Sequence, residues 1–89
     1  MISYKFIVTG KVQGVYYRKN VASNALKESF SGYVKNLPDK SVEAVVTCHE
    51  TKLEKFLDIL QKGSPNSIVN NIEQAICDEV FSGEFEIRY

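Results

Sequence analysis

Along the first part of the chain, apolar and polar positions alternate with a period of two. Tyr4, Phe6 and Val8 are separated by single residues, which is the spacing of a β-strand with one buried face. After a glycine-bearing stretch, apolar residues recur three and four positions apart over residues 18–28, which is typical of a helix. The pattern therefore predicts a strand followed by a helix, and we expect residues 31–32 (Ser-Gly) to end that helix.

The middle of the chain has the pattern of a β-hairpin. A second strand is predicted over residues 33–37 and a third over residues 42–48, where β-branched residues are frequent. Between them lies a short turn over residues 38–40, whose proline presets the backbone dihedral that a turn needs. Because the connection is so short, the two strands are expected to pair with each other.

The second helix is predicted from a stripe of apolar residues at helical spacing, formed by Leu53, Phe56, Leu57 and Leu60. Thr51 and Glu54 have the spacing of a capping box, in which each side chain satisfies a backbone N–H of the other residue. Gly63 and Pro65 are expected to end this helix, because the first suits a helix terminus and the second cannot continue one.

The last third of the chain predicts a fourth strand over residues 67–77, with Ile68, Ile72 and Ile76 on one face, and a short strand over residues 85–89. The order is strand, helix, strand, strand, helix, strand, plus the short terminal strand. Right-handed crossovers then place both helices on one face of an antiparallel sheet. The predicted fold class is α+β, the ferredoxin-like split β-α-β sandwich.

The composition limits the possible functions. With 89 residues, 44% of them hydrophobic, we expect a single domain over residues 1–89. The formal net charge is zero, so neither nucleic acid nor an anionic membrane is an expected partner. The alternating start does not resemble a signal peptide, and no apolar run reaches the roughly 18 residues of a membrane span.

Cys48 and Cys77 are the two cysteines, and their spacing is not that of a metal site. We interpret both as small buried residues in a reducing cytoplasm. In the strand order usual for this fold they lie on strands that are not neighbours, too far apart for an undistorted disulfide.

The segment GKVQGVYYR, residues 10–18, joins the first strand to the first helix. A turn of this kind leaves backbone N–H groups unpaired, and the helix dipole favours an anion beside them. Arg18 adds a charged fork that fits phosphate oxygens, although a cation at a helix start is unfavourable when no anion is bound. The alternative is an ordinary tight turn with a solvated arginine.

Asn36 is the second candidate, because asparagine is depleted in strands and this one lies near a strand end. The alternative role for it is to cap the turn at Pro38 through a backbone hydrogen bond. His49 is the only histidine and is interpreted as a solvated turn residue, so no metal site is expected.

Two segments carry a resemblance to a known family. Residues 10–18 are similar to the phosphate-binding signature of acylphosphatases, and residues 32–39, GYVKNLPD, resemble their second signature. The terminal residues 85–89, FEIRY, are also similar, and the resemblance extends over essentially the whole chain.

The resemblance implies that Arg18 binds the substrate phosphate together with backbone amides of the loop, and that Asn36 holds the attacking water. The amides are those of Gln13, Gly14, Val15, Tyr16 and Tyr17. The implied activity is metal-independent hydrolysis of small acyl phosphates, without a cofactor and with inorganic phosphate as both product and inhibitor. We expect a cytoplasmic protein and a monomer, although the terminal strand leaves a sheet edge on which a second copy could pair.

Several residues depart from the family pattern. Tyr16 stands where a small residue, often glycine, is common, and it is expected to narrow the mouth of the phosphate cradle and to affect rate and substrate size. Tyr17 and Tyr33 keep an aromatic ring in place of the usual phenylalanine and tryptophan, and Lys40 follows Asp39 where glycine is frequent. None of these changes removes a catalytic group.

Two alternatives from other classes are open at the level of sequence. A non-catalytic anion-binding or regulatory module on the same fold would use the cradle but would give Asn36 no role. An RNA-binding domain on a similar sheet is disfavoured, because the strands lack the RNP1 pattern and no basic surface is implied.

Overall fold

The computed structural model describes residues 1–89. The chain forms five strands and two helices, with a short 3₁₀ turn (Glu50–Lys52) before the second helix. In chain order the elements are β1 (Ile2–Lys11), α1 (Tyr17–Lys27), β2 (Ser31–Asn36), β3 (Val42–Cys48), α2 (Leu53–Lys62), β4 (Ile68–Cys77) and β5 (Phe85–Arg88). The predicted element order is confirmed, with boundaries shifted by one or two residues at most ends.

The five strands form one sheet in the order β4-β1-β3-β2-β5. The pairs β1–β3, β1–β4 and β2–β3 are antiparallel, but β5 pairs with β2 in parallel. The antiparallel sheet predicted for the first four strands is confirmed. The short terminal strand makes the sheet mixed, because the chain crosses to the far edge before β5 and enters it in the direction of β2. The fold is the ferredoxin-like α+β arrangement.

Both helices pack on one face of the sheet and close a single core. Its centre is the Phe56 ring of α2, which lies 5.6 Å from Phe6, 5.3 Å from Phe30 and 5.8 Å from Phe85, measured between ring centroids. Tilted and edge-on contacts at these distances suit the quadrupoles of aromatic rings. The core thus joins both helices to the central and outer strands. It includes Val12 and Tyr17, which flank the loop before α1, so both ends of that loop are anchored.

Both helix ends differ from expectation. The first helix ends at Lys27, one residue before the predicted end, and the stop is a Schellman motif rather than the Ser-Gly pair at residues 31–32, which lies in β2. Ser29 takes a left-handed φ of 61°, and the Phe30 N–H donates to the Ala25 carbonyl. The capping box at the start of α2 is absent. The 3₁₀ turn there makes Lys52 the N-cap, and no side chain caps the helix. Neither helix has the length and apolar stretch that crossing a bilayer requires.

A β-bulge in β4 corrects the expectation that three isoleucines share a face. Thr9 pairs with Asn71 and Gly10 with Val69, so Asn70 has no partner on β1. One extra residue reverses the alternation beyond it. Val69 and Ile72 therefore pack against the core, whereas Ile68 is turned outward. The strands approach closely here, because a Cβ on Gly10 would lie 2.1 Å from the Ile68 carbonyl oxygen.

The two cysteines lie on β3 and β4, which are separated by β1, as the sequence predicts. Both are free thiols. Cys48 is buried, and burial raises the pKa of its thiol. Cys77 is only half-buried because β4 is an edge strand, so the expectation that both are buried holds for Cys48 alone.

Candidate functional site

An open cleft of about 550 Å³ lies at the end of the sheet where α1 begins. It brings together residues from three distant segments: the loop before α1, the end of β2 and the last strand. Its lining consists of Val12, Gly14, Tyr16, Tyr17, Arg18, Lys19, Asn36, Ile87 and Tyr89. Arg18 and Asn36 therefore face the same space. Gln13 and Val15 are in the loop but do not line the cleft with their side chains.

The loop from Gln13 to Tyr16 has an unusual backbone. Gly14 has a φ of 73° and Tyr16 a φ of 62°, both in the left-handed region. A Cβ at Gly14 would meet open space, so only the dihedral angle favours glycine there. Left-handed residues in a turn let successive N–H groups point to one side, which is the geometry of an anion-binding nest.

The N–H groups of this loop have no partner in the protein. The backbone bond from the Asn20 N–H to the Tyr16 carbonyl is the first in α1, and no N–H from Gln13 to Lys19 donates to any protein atom. The first N–H groups of a helix lack partners within the helix and are bonded by a capping side chain, by water or by a ligand, and no side chain caps this one. Such a run of free donors beside a cleft can bind an anion with several oxygen atoms.

The electrostatics at the start of α1 favour the same kind of ligand. The first turn contains no acidic residue, and no side chain caps the helix. Arg18 and Lys19 instead place two cations beside the positive end of the helix dipole, where a cation is unfavourable. An anion bound in the cleft would offset this unfavourable arrangement.

The chain end holds Arg18 in place. Its Nη1 donates to the Arg88 carbonyl at 3.0 Å, and its guanidinium carbon lies 4.8 Å from the centroid of the Tyr89 ring. A guanidinium has five N–H donors, so one bond to the protein leaves the others for a ligand. Sequence reasoning missed these two residues, because nothing near Arg18 in the sequence indicates a partner 70 positions away.

Three side chains fasten the loop to its surroundings. The Gln13 amide donates to the carbonyls of Leu37 and Ser41, both at 2.9 Å, and so ties the loop to the turn that follows Asn36. Ser64 Oγ donates to the Val15 carbonyl at 2.6 Å. The hydroxyl of Tyr17 donates to the Leu60 carbonyl at 2.8 Å. Burial raises the pKa of this phenol, so it remains a neutral donor.

Asn36 is half-buried, and its side-chain oxygen is buried without a hydrogen-bond partner. The turn after it is fixed by other groups, since the Asp39 carboxylate accepts from the N–H and the hydroxyl of Ser41. These bonds lower the pKa of Asp39, the hydroxyl bond being the stronger cause. Because Asn36 takes no part in them, its position does not support the alternative in which it caps the turn.

Comparison with known proteins agrees with the motifs. The model of the acylphosphatase family matches residues 4–87. A protein of Actinobacillus pleuropneumoniae named acylphosphatase is 44% identical over 84 residues, which cover 93% of each chain. The acylphosphatase of Photobacterium profundum is 39% identical over 87 residues, covering 98% of this chain and 97% of that protein. The crystal structure of the acylphosphatase from Bacillus subtilis is similar over 100% of both chains, with a TM-score of 0.91 and 35% identity.

Proposed function

The chain belongs to the acylphosphatase family, enzymes that hydrolyse acyl phosphates, and we propose that Arg18, Asn36 and the amides of the preceding loop perform this reaction. The amides are those of Gln13, Gly14, Val15, Tyr16 and Tyr17. The single observation that carries the proposal is the run of unpaired N–H groups at the start of α1, which lies next to Arg18 in one cleft that Asn36 also lines.

The substrate is bound by positive charge and by hydrogen-bond donors of fixed orientation rather than by a metal. The loop amides and the free N–H groups of Arg18 donate to the phosphoryl oxygens. They are fixed before the substrate arrives, because Gln13, Ser64 and Arg88 hold the loop and the guanidinium. Preorganised donors of this kind stabilise the charge that develops on phosphoryl oxygens in the transition state.

Hydrolysis breaks the bond between phosphorus and the carboxyl oxygen of the acyl group. Asn36 orients a water for in-line attack through its side-chain amide, so that a new oxygen–phosphorus bond forms as the old one breaks. The electron pair leaves with the carboxylate, which needs no proton because carboxylates are weak bases. The proton of the water passes to a phosphoryl oxygen, and the products are a carboxylate and inorganic phosphate.

This chemistry requires neither a general acid nor a metal. No three side chains among the histidine, cysteine and acidic residues come together in a way that could hold a metal ion. The positive charge in the cleft comes from Arg18 and the helix start instead. A non-catalytic anion-binding module is not favoured, because the relatives that match nearly the whole chain are named for the enzyme.

The experiment that tests the role of Arg18 compares two variants with wild type in hydrolysis of benzoyl phosphate. Arg18→Ala should remove nearly all activity and also the inhibition by inorganic phosphate. Arg18→Lys should restore little, because a point charge cannot replace a planar fork. Lys19→Ala is the matched control, since it removes the neighbouring charge at the same helix start, and its loss should be much smaller. Near wild-type turnover in either Arg18 variant would contradict the proposed role.

We further propose that the protein acts as a single domain and a monomer in the cytoplasm, with inorganic phosphate as a competitive inhibitor. One hydrophobic core formed by both helices and the sheet supports the single domain, and two free thiols are compatible with a reducing compartment. Light scattering on the protein as it leaves a size-exclusion column tests the oligomeric state. A molar mass of one chain supports the monomer, and a molar mass of two chains contradicts it.

A further inference from the structure

Tyr16 combines an unfavourable backbone conformation with an exposed side chain. Its φ of 62° and ψ of 23° are left-handed, a region that residues with a Cβ seldom adopt. The residue is 74% exposed, and its hydroxyl makes no hydrogen bond within the protein. Burial of the ring therefore does not compensate for the backbone strain. Strain of this kind persists mainly at functional sites, where the surroundings hold the residue in place.

Asn20 holds Tyr16 in this conformation. The Tyr16 carbonyl accepts two hydrogen bonds from this one residue, from its backbone N–H at 3.1 Å and from its side-chain amide at 2.9 Å. The backbone from which the Tyr16 ring projects is therefore fixed relative to α1. A fixed backbone brings an aromatic side chain to a defined part of the cleft at a small loss of conformational entropy.

The apolar side of the cleft lies where the acyl group of a bound substrate must extend. Phosphate oxygens bind at Arg18 and the loop amides, so the acyl group points away from them, towards the open mouth. Tyr16, Ile87 and Tyr89 line the cleft, and the two tyrosines are among the most exposed apolar side chains in the protein. An aromatic acyl group can stack on an exposed ring, whereas an acetyl group is too small to cover it.

We infer that the Tyr16 ring contacts the acyl group and makes the enzyme favour aromatic acyl phosphates over short aliphatic ones. This inference rests on the proposed function, because it requires the phosphate to bind at Arg18 and the loop. Tyr16 thus has two separate contacts with the substrate: its N–H serves the phosphate that all substrates share, and its ring serves the part in which they differ.

The test measures kcat/KM for benzoyl phosphate and acetyl phosphate with wild type, Tyr16→Phe and Tyr16→Leu. Both replacements keep a Cβ at the same positive φ, so the backbone strain is matched and only the ring distinguishes them. The ratio of the benzoyl to the acetyl value should be retained in Tyr16→Phe. In Tyr16→Leu it should fall by about 5-fold, the effect expected for loss of one aromatic contact. A distorted loop would affect both substrates through their common phosphate, and the ratio removes that effect.

Inhibition by inorganic phosphate is measured in parallel as a probe of the phosphate site alone. A ratio in Tyr16→Leu equal to that of wild type would overturn the inference while leaving the proposed function intact. An equal fall in both variants would also overturn it, because the hydroxyl and not the ring would then be responsible. Failure of wild type to hydrolyse either substrate would instead contradict the proposed function itself.

Discussion

At the scale of single residues, the site depends on polar groups whose partners lie far away in the sequence. The sequence predicts that Arg18 is an anion ligand, because a cation at a helix start is unfavourable when no anion is bound, and the structure places Arg18 in the cleft. Its contact with the Arg88 carbonyl could not be predicted, since every residue type has a backbone carbonyl that can accept such a bond. The same holds for the Gln13 side chain, which joins the loop to the turn after Asn36.

Asp39 provides a prediction at this scale, because its carboxylate organises that turn. The folded protein holds the pKa of Asp39 below its ordinary value through the hydroxyl and the N–H of Ser41. The stability that this adds is present above the unfolded pKa, about 4, and is lost as the pH falls through the folded pKa. Asp39→Ala should therefore lower the urea midpoint at about pH 7, and the gap from wild type should narrow towards about pH 3.

Urea unfolding at a series of pH values measures the difference in urea midpoint between Asp39→Ala and wild type. Lys40→Ala, in the same turn, is the control, because it leaves the Asp39 carboxylate in place, so its difference from wild type in urea midpoint should not narrow. A gap for Asp39→Ala that is the same at both ends of the series would show that the carboxylate does not stabilise the turn through its charge.

At the scale of elements, the helices show which features can be predicted from the local sequence alone. The predicted bounds of α1 differ from the observed Tyr17–Lys27 by one residue, because apolar spacing is a property of the helix itself. The ends are harder to predict. Ser29 takes the left-handed position that glycine usually occupies, and a 3₁₀ turn displaces the capping box predicted for α2. In both places local backbone hydrogen bonds, which residues of many types can make, set the geometry.

Ser29 therefore predicts a stabilising substitution. Ser29→Gly removes the strain of a positive φ of 61° while retaining both backbone bonds of the Schellman motif. The relief exceeds the added freedom of the unfolded chain, so the free energy of unfolding should rise by about 0.5–1 kcal/mol. Ser23→Gly makes the same chemical change inside α1, at an exposed position, and should lower stability by about 0.5 kcal/mol.

Urea unfolding of the two glycine variants and wild type measures both changes in the free energy of unfolding, the predicted rise and the predicted fall. Destabilisation by Ser29→Gly comparable to that by Ser23→Gly would mean that the left-handed residue is not strained. The pair shares one substitution, so a difference in sign can come only from backbone conformation.

At the scale of the whole molecule, the sequence predicts the layers and the central strands but not every pairing. The hairpin strand Val42–Cys48 is predicted with its observed bounds, and the separation of the two cysteine-bearing strands by β1 follows from the fold class. The bulge at Asn70 and the parallel pairing of β5 are not predicted, because register and strand direction depend on the partner strand. The cleft itself requires that the loop, the end of β2 and the chain end meet at one end of the sheet.

The central claim is that this meeting of segments makes Asn36 the residue that positions the attacking water, and Asn36→Ala tests it most directly. Three quantities are measured on the variant: kcat for benzoyl phosphate, inhibition by inorganic phosphate and the urea midpoint. Asn71→Ala, an exposed asparagine on β4, is the control and should behave like wild type.

The account predicts that kcat of Asn36→Ala falls by about 100-fold, the effect of losing a group that positions a reactant. Phosphate inhibition should be retained, because Arg18 and the loop amides remain in place. A preserved kcat together with a lowered urea midpoint would contradict the account, since Asn36 would then stabilise the turn without taking part in hydrolysis.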